Sequence, residues 1–220
     1  MINSLEILKR IVYANKIIEN LSFYEFGKYE LVQNRIKFIK PLDVIFDSAL
    51  ALRDTYNLPF WDSFNLSLFN KSFENYNFLK EINFHNNPIK KIQIKRDDFL
   101  KSNIDFHNYT TICSLVNSES DHHIPLFDFH IPPSNNNQKL CVNIIKHLEL
   151  TGYLLDSGKS YHFIGNKIIS YKDLQEILFN ALLFAPIIDK SWIAHQLIQK
   201  YCCLRVSKKY ERLPILVDEI

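Results

Sequence analysis

The chain has 220 residues, 47% of them hydrophobic, with 17 Phe and 11 Tyr, and its 26 Lys and Arg stand against 24 Asp and Glu for a net charge of +2. So much apolar and aromatic material excludes a disordered tail or a disulfide-stapled miniprotein. The near-balanced charge excludes a wholly cationic surface and leaves only local patches for a polyanion.

Leu5, Leu8, Ile11 and Val12 share one helical stripe behind Ser4, a candidate N-cap, and predict a helix over residues 4–21. A second helix is expected over Leu42–Tyr56, opened by Pro41. Between Pro59 and Asn87 the chain is rich in Phe, Asn and Ser without clean periodicity. From Ile89 the texture changes: Ile89, Ile92 and Ile94 suggest a strand, and Tyr109–Val116 is β-branched and apolar. Residues 117–121 carry turn chemistry, and His123–Ile131 reads as the returning strand, blocked by Pro132-Pro133. A helix over 138–148 leads to Gly152 and a hairpin, with Tyr153–Leu155 and Ser160–Gly165 flanking the turn Asp156-Ser157-Gly158-Lys159. Helices over 171–184 and 189–200, then strands over 201–206 and 213–217, complete the chain. The pattern predicts an α+β fold, a largely antiparallel sheet with helices packed on it. It divides into an N-terminal, mainly helical portion, residues 1–88, and a second domain, residues 89–220.

Cys113, Cys141, Cys202 and Cys203 show no C-x-x-C spacing, so neither a zinc knuckle nor a thioredoxin-like site is expected, but reduced and mostly buried thiols. No apolar run reaches the ~18 residues that cross a bilayer. The start Met-Ile-Asn-Ser-Leu-Glu lacks the basic opening of a signal peptide. The expectation is a cytoplasmic protein with no membrane partner.

Three segments carry candidate chemistry. In Pro125–Ile131, strand alternation places Phe127, Phe129 and Ile131 on one face and Asp128 and His130 on the other. A carboxylate and a neutral imidazole at i and i+2 are competent ligands for one divalent ion, although a half-exposed strand would show the same pattern. In Asp156–Gly165, Ser160 and His162 share a face, approached through a turn that offers backbone amides and Lys159. Such a convergence suits phosphates; the plainer reading is a hairpin with a satisfied histidine. In the third, Asp189 is placed to cap the helix it begins. Downstream, Arg205, Lys208, Lys209 and Arg212 set four bases against Glu211 and could grip phosphates or nucleic acid. His122 and His123, at a turn, are the other histidines that could approach Asp128; His85, His107 and His147 have no evident partner.

The order of these segments resembles the archaeo-eukaryotic primase superfamily, which includes small primase subunits and bacterial primase-polymerases. That family carries a D-x-D or D-x-E pair, an S-x-H strand and a later hydrophobic-Asp ahead of a basic strand. Here Asp128 matches the first acid, Ser160-Tyr161-His162 the S-x-H, Asp189 the third acid, and Arg205 in Leu-Arg-Val-Ser the basic residue. The match covers about residues 90–220 and leaves the first 90 or so unexplained. It implies an RRM-like palm, divalent metal held by Asp128, His130 and Asp189, and nucleoside triphosphate held by Lys159, Ser160, His162 and Arg205. The nucleic acid, DNA or RNA, would fall to Lys208, Lys209 and Arg212. The implied reaction is attack of a hydroxyl on an α-phosphate, giving a phosphodiester and pyrophosphate.

The chain departs from the pattern at the second acid, which is His130. Imidazole removes a negative charge and shifts the ligand set from hard to borderline, favouring Mn²⁺ over Mg²⁺. Two alternatives stand beside the polymerising enzyme. One is a degenerate module that binds nucleotide or nucleic acid and works through a protein partner, with the N-terminal portion available to contact it. The other is a metal-dependent nuclease or phosphoesterase built on Asp128, His130 and His162.

Overall fold

The computed structural model describes residues 1–26, 42–58, 63, 66–67, 90–106, 109–117, 120–209 and 212–220. The chain forms two compact units, Met1–Phe26 with Pro88–Ile220, and Gly27–Asn87. In chain order, α1 (Ser4–Ala14) and β1 (Asn20–Phe26) belong to the larger unit and α2 (Leu42–Tyr56) to the smaller one. The stretch 59–89 lies almost wholly outside the described residues.

The larger unit resumes with β2 (Lys90–Lys95), α3 (Arg96–Lys101), β3 (Tyr109–Val116), β4 (His122–His123) and β5 (Leu126–Asp128). There follow α4 (Asn135–His147), β6 (Gly152–Asp156), β7 (Tyr161–Gly165), β8 (Ile169–Ser170) and α5 (Tyr171–Ala181), with a 3-10 turn over Leu182–Phe184. α6 (Lys190–Gln199), β9 (Cys203–Arg205) and β10 (Ile215–Glu219) complete it. Two sheets result, β2-β1-β3-β4-β8 with β9 also on β3, and β10-β6-β7-β5. Among the described residues every strand pairing is antiparallel, so the α+β class holds.

The first helix is shorter than its apolar stripe suggested. Its N-cap is Asn3, in a capping box with Glu6, while the Ser4 hydroxyl is buried and donates to the Val206 carbonyl at 2.9 Å. Asn15 ends the helix, its backbone and side-chain N–H groups both bonding to the Ile11 carbonyl. The chain is then free to form β1, a strand the helical pattern concealed, which pairs with β2 on one edge and β3 on the other. Residues 1–26 therefore contribute a helix and a strand to the larger unit.

The returning strand also differs. It is two short strands, β4 on the first sheet and β5 on the second, with Ile124-Pro125 between them. Pro125 has no N–H to extend a ladder, so pairing breaks where the chain changes sheets. Gly165 donates to the Pro125 carbonyl at 2.7 Å, and a Cβ on Gly165 would stand 2.9 Å from the proline ring.

One continuous core joins Ile7, Leu8 and Ile11 of α1, Leu21 and Phe23 of β1, Ile112 of β3, and Phe127 and Phe163 of the second sheet. Each such side chain stabilises the fold by about 1.5–3 kcal/mol. Tyr161, 2% exposed, adds a polar tie: its hydroxyl donates to the Ser134 carbonyl and accepts from the Ser134 N–H at the cap of α4. Tyr161→Phe strands both groups, so urea unfolding should show a loss of about 1–3 kcal/mol.

Candidate functional site

The second sheet orders the site through its register. Asp128 of β5 pairs with His162 of β7. A single antiparallel bridge, Phe129 with Ile188, continues the sheet beyond β5, and the His130 N–H donates to the Ile187 carbonyl at 2.7 Å. That register sets Asp189 opposite Asp128. Residues directly opposite on neighbouring strands project from the same face, so Asp189, Asp128 and His162 form one row across the sheet. Phe127, Phe129 and Phe163, on the alternate positions, are at most 1% exposed and hold the strands to the core.

The row is electrically strained. Burial and the Asp189 charge raise the Asp128 pKa from 3.8 to about 7, against the opposing pull of Arg205 and Lys209. The Asp128 side chain is still 39% accessible, so its carboxyl faces an opening. Beside it, His162 Nε2 lies 3.6 Å from Asp128 Oδ1, and the imidazole is only 6% accessible. Burial and the Arg205 guanidinium lower the His162 pKa to about 3, so the ring is neutral at physiological pH. Its Nδ1 is buried without a hydrogen-bond partner.

Arg205, 6% exposed, comes from β9 on the first sheet and donates from Nη1 to the Ser207 carbonyl and from Nη2 to the Ser157 carbonyl, each at 2.7 Å. The second bond ties it to the hairpin turn ahead of the S-x-H strand. Gly158, at φ +104°, shapes that turn, and its N–H donates to Asp156 Oδ1 at 2.7 Å. Ser160 Oγ stands 3.1 Å from Ser157 Oγ. Arg212 Nη2 pairs with Asp156 Oδ2 at 2.7 Å and so packs the segment after β9 against the same turn.

Asp128, His162, Asp189 and Arg205 thus converge. Asp189 also caps α6, accepting from the Trp192 N–H at 3.2 Å. His130 follows Asp128 on the same face and is exposed, while Lys159 and Lys208 are exposed as well. Among the described residues, no group of three or more His, Cys, Asp and Glu side chains stands ready to hold a metal ion, so Asp128, His130 and Asp189 do not form a preassembled triad. Lys209, expected from the sequence as a nucleic-acid contact, lies close enough for its charge to act on Asp128 and His162 as well. His123 takes another role: it is 2% exposed on β4, with Nδ1 at 3.0 Å from Ser114 Oγ. The Ser157 carbonyl was missed as an anchor for Arg205; its place in the Asp-Ser-Gly-Lys turn was the available signal.

A family model described as archaeo-eukaryotic primase 1D-like (AEP-like) matches residues 97–217, more than half of the chain. The protein belongs to this archaeo-eukaryotic primase-like family. No curated protein and no solved structure matches it significantly. Among the described residues no helix is long and apolar enough to cross a membrane.

Proposed function

We propose that the chain is a metal-dependent nucleotidyltransferase that joins nucleoside triphosphates to a nucleic-acid strand. The observation that carries this reading is the row Asp189–Asp128–His162 with the Arg205 guanidinium beside it. Burial first, and the neighbouring Asp189 charge second, disfavour the ionised Asp128 carboxyl, and a divalent cation would offset both. Mg²⁺ and Mn²⁺ are commonly held by one or two carboxylates, with substrate phosphates and water completing the shell. Asp128 and Asp189 fit that role, with His130 at the rim. When bound, the cation offsets charge on the phosphates and on the attacking oxygen.

The protein's own groups do the remainder. Arg205 spends two of its five N–H donors on backbone carbonyls, which fix its plane and leave others to meet a phosphate. His162, neutral at physiological pH, offers Nε2, on the ring edge beside Asp128, as a hydrogen-bond donor to a phosphate oxygen. Lys159 and Ser160 extend the anion-binding edge, and Lys208, Lys209 and Arg212 supply positive charge for the nucleic-acid backbone, Arg212 while paired to Asp156.

Incorporation of labelled nucleotide onto a primed or unprimed strand, with Mn²⁺ and Mg²⁺ compared, tests the reading. Mn²⁺ should give the higher rate, and Asp128→Asn should remove it. No incorporation with any metal, nucleotide or template would overturn it. A second reading, a nucleotide-binding module without turnover, is favoured by His130 in the second acid's place. Nucleotide binding that survives Asp128→Asn, with no product from the native chain, would select it.

The pKa adds a linkage prediction. Below about pH 7 the proton on Asp128 competes with the cation. Mn²⁺ affinity should therefore rise with pH up to about 7 and then level off. Titration calorimetry at pH 6 in two buffers of different ionisation enthalpy should detect proton release on binding.

A further inference from the structure

The four cysteines are all free, and two of them face each other across a strand pair: Cys113 of β3 is the register partner of Cys203 of β9. Which kind of rung this is follows from the flanking hydrogen bonds. Ser114 N–H donates to the Cys202 carbonyl at 2.7 Å, and Val206 N–H to the Thr110 carbonyl at 3.0 Å. In an antiparallel ladder the bonded rungs alternate with unbonded ones. Rungs 110–206 and 114–202 are bonded, so 113–203, like 111–205, is an unbonded rung. Unbonded rungs bring Cα atoms to about 4.5 Å and side chains closest, inside the window of about 4.4–6.8 Å that a disulfide spans. The two thiols are near enough for each to shift the other's titration.

We propose that Cys113 and Cys203 form a reversible dithiol–disulfide couple, oxidised by a peroxide and reduced by a small thiol. Cys113 is 1% exposed and Cys203 is partly exposed, so first contact with the peroxide is assigned to Cys203. Its contact with Cys113 and its burial hold that thiol well above its ordinary pKa, so oxidation should be slow near neutral pH and quicken as pH rises. The Cys203 sulfur attacks the peroxide, becomes a sulfenic acid and releases one water. The Cys113 sulfur then attacks the sulfenic sulfur, forming the S–S bond and releasing the second water. In sum the two thiols lose two protons and two electrons, and hydrogen peroxide becomes two waters. Contact with Cys203 holds the Cys113 thiol below its ordinary pKa, which suits it to the second attack. The disulfide would lock β3 to β9 one like-facing rung from Arg205, which pairs with Thr111.

The test treats the native full-length protein with hydrogen peroxide, denatures it in alkylating agent, and counts and maps the thiols. Free thiols should fall from four to two, with one linked peptide pair containing Cys113 and Cys203, and dithiothreitol should restore four. Urea-unfolded protein should form this pair about tenfold more slowly or worse, because register no longer holds the sulfurs together. Cys113→Ser and Cys203→Ser should each abolish the pair, and Cys141→Ser should leave it. Four thiols surviving, a Cys202–Cys203 bond, or sulfinic acid on Cys203 without a disulfide would each overturn the proposal. The map on the unaltered protein decides the matter even if a serine variant fails to fold, and it is independent of whether the chain transfers nucleotides.

Discussion

Asp128→Asn should yield a protein that is inactive yet more stable than its parent. Removing the carboxylate charge should lower nucleotide incorporation by roughly 10²- to 10³-fold. The stability gain follows from linkage. The folded-state pKa of Asp128 is about 7 against 3.8 for a free carboxyl, so from about pH 4 to 7 the folded chain holds a proton that the unfolded chain has released. Stability from this group is therefore present at low pH and lost as pH rises through 7. Asparagine carries no such penalty. In metal-free buffer the variant should melt at a higher temperature than the parent at pH 8, with the gap closing toward pH 4. A variant less stable than the parent at pH 8 would show that Asp128 is not strained. His162 and His123, lowered to about 3 and about 4, act in the opposite direction, since the unfolded chain takes up protons below about pH 6.5 where the folded chain does not. With the Asp128 contribution gone, the variant should lose stability more steeply than the parent as pH falls from 6.5 to 4.

Arg205 should be the most sensitive position for fold and ligand together. Arg205→Ala leaves the Ser157 and Ser207 carbonyls without their donor. Bonds to charged groups are worth about 1.5–3 kcal/mol each, and the relieved burial of the charge offsets part of this, so urea unfolding should show a loss of about 2–4 kcal/mol. Losing one charged contact to a phosphate should weaken nucleoside triphosphate binding by roughly tenfold to a hundredfold. Arg205→Lys separates the two effects. An ammonium on one flexible stem keeps the charge but cannot reproduce the fork that reaches two carbonyls. It should recover part of the affinity and little of the stability. Equal loss in both variants for binding would point to geometry, rather than charge, as what the triphosphate reads.

Much of the second sheet was legible in the sequence because strand alternation is a local signal. Phe127 and Phe129 against Asp128, and the Asp-Ser-Gly-Lys turn ahead of Ser160, each fix a face or a bend without distant partners. The convergence of Asp189 with Asp128 was legible only through family resemblance, because it depends on one bridge, Phe129 with Ile188, between segments far apart in the chain. Capping of α6 and charge in the site proved to be two uses of the same carboxylate. The first 26 residues were misjudged because a stripe of aliphatic residues runs on past Asn15, and only the capping of that residue shows where the helix stops. The nested unit Gly27–Asn87 left no local mark at its start, since β1 finds its partners β2 and β3 only beyond it. Lys209 was read as one more member of a basic run, and its nearness to Asp128 is tertiary information.

The seam between the two sheets has a consequence for synthesis. Asp128 and His162 ride on one sheet, and the guanidinium that completes their surroundings rides on the other. A ribosome-bound chain that has not yet released residue 205 can pair β5 with β7 but presents its acids and imidazole without that cation. On the proposed reading, a triphosphate would meet its full set of contacts only after β9 has paired with β3, so chains shorter than residue 205 should bind nucleotide poorly.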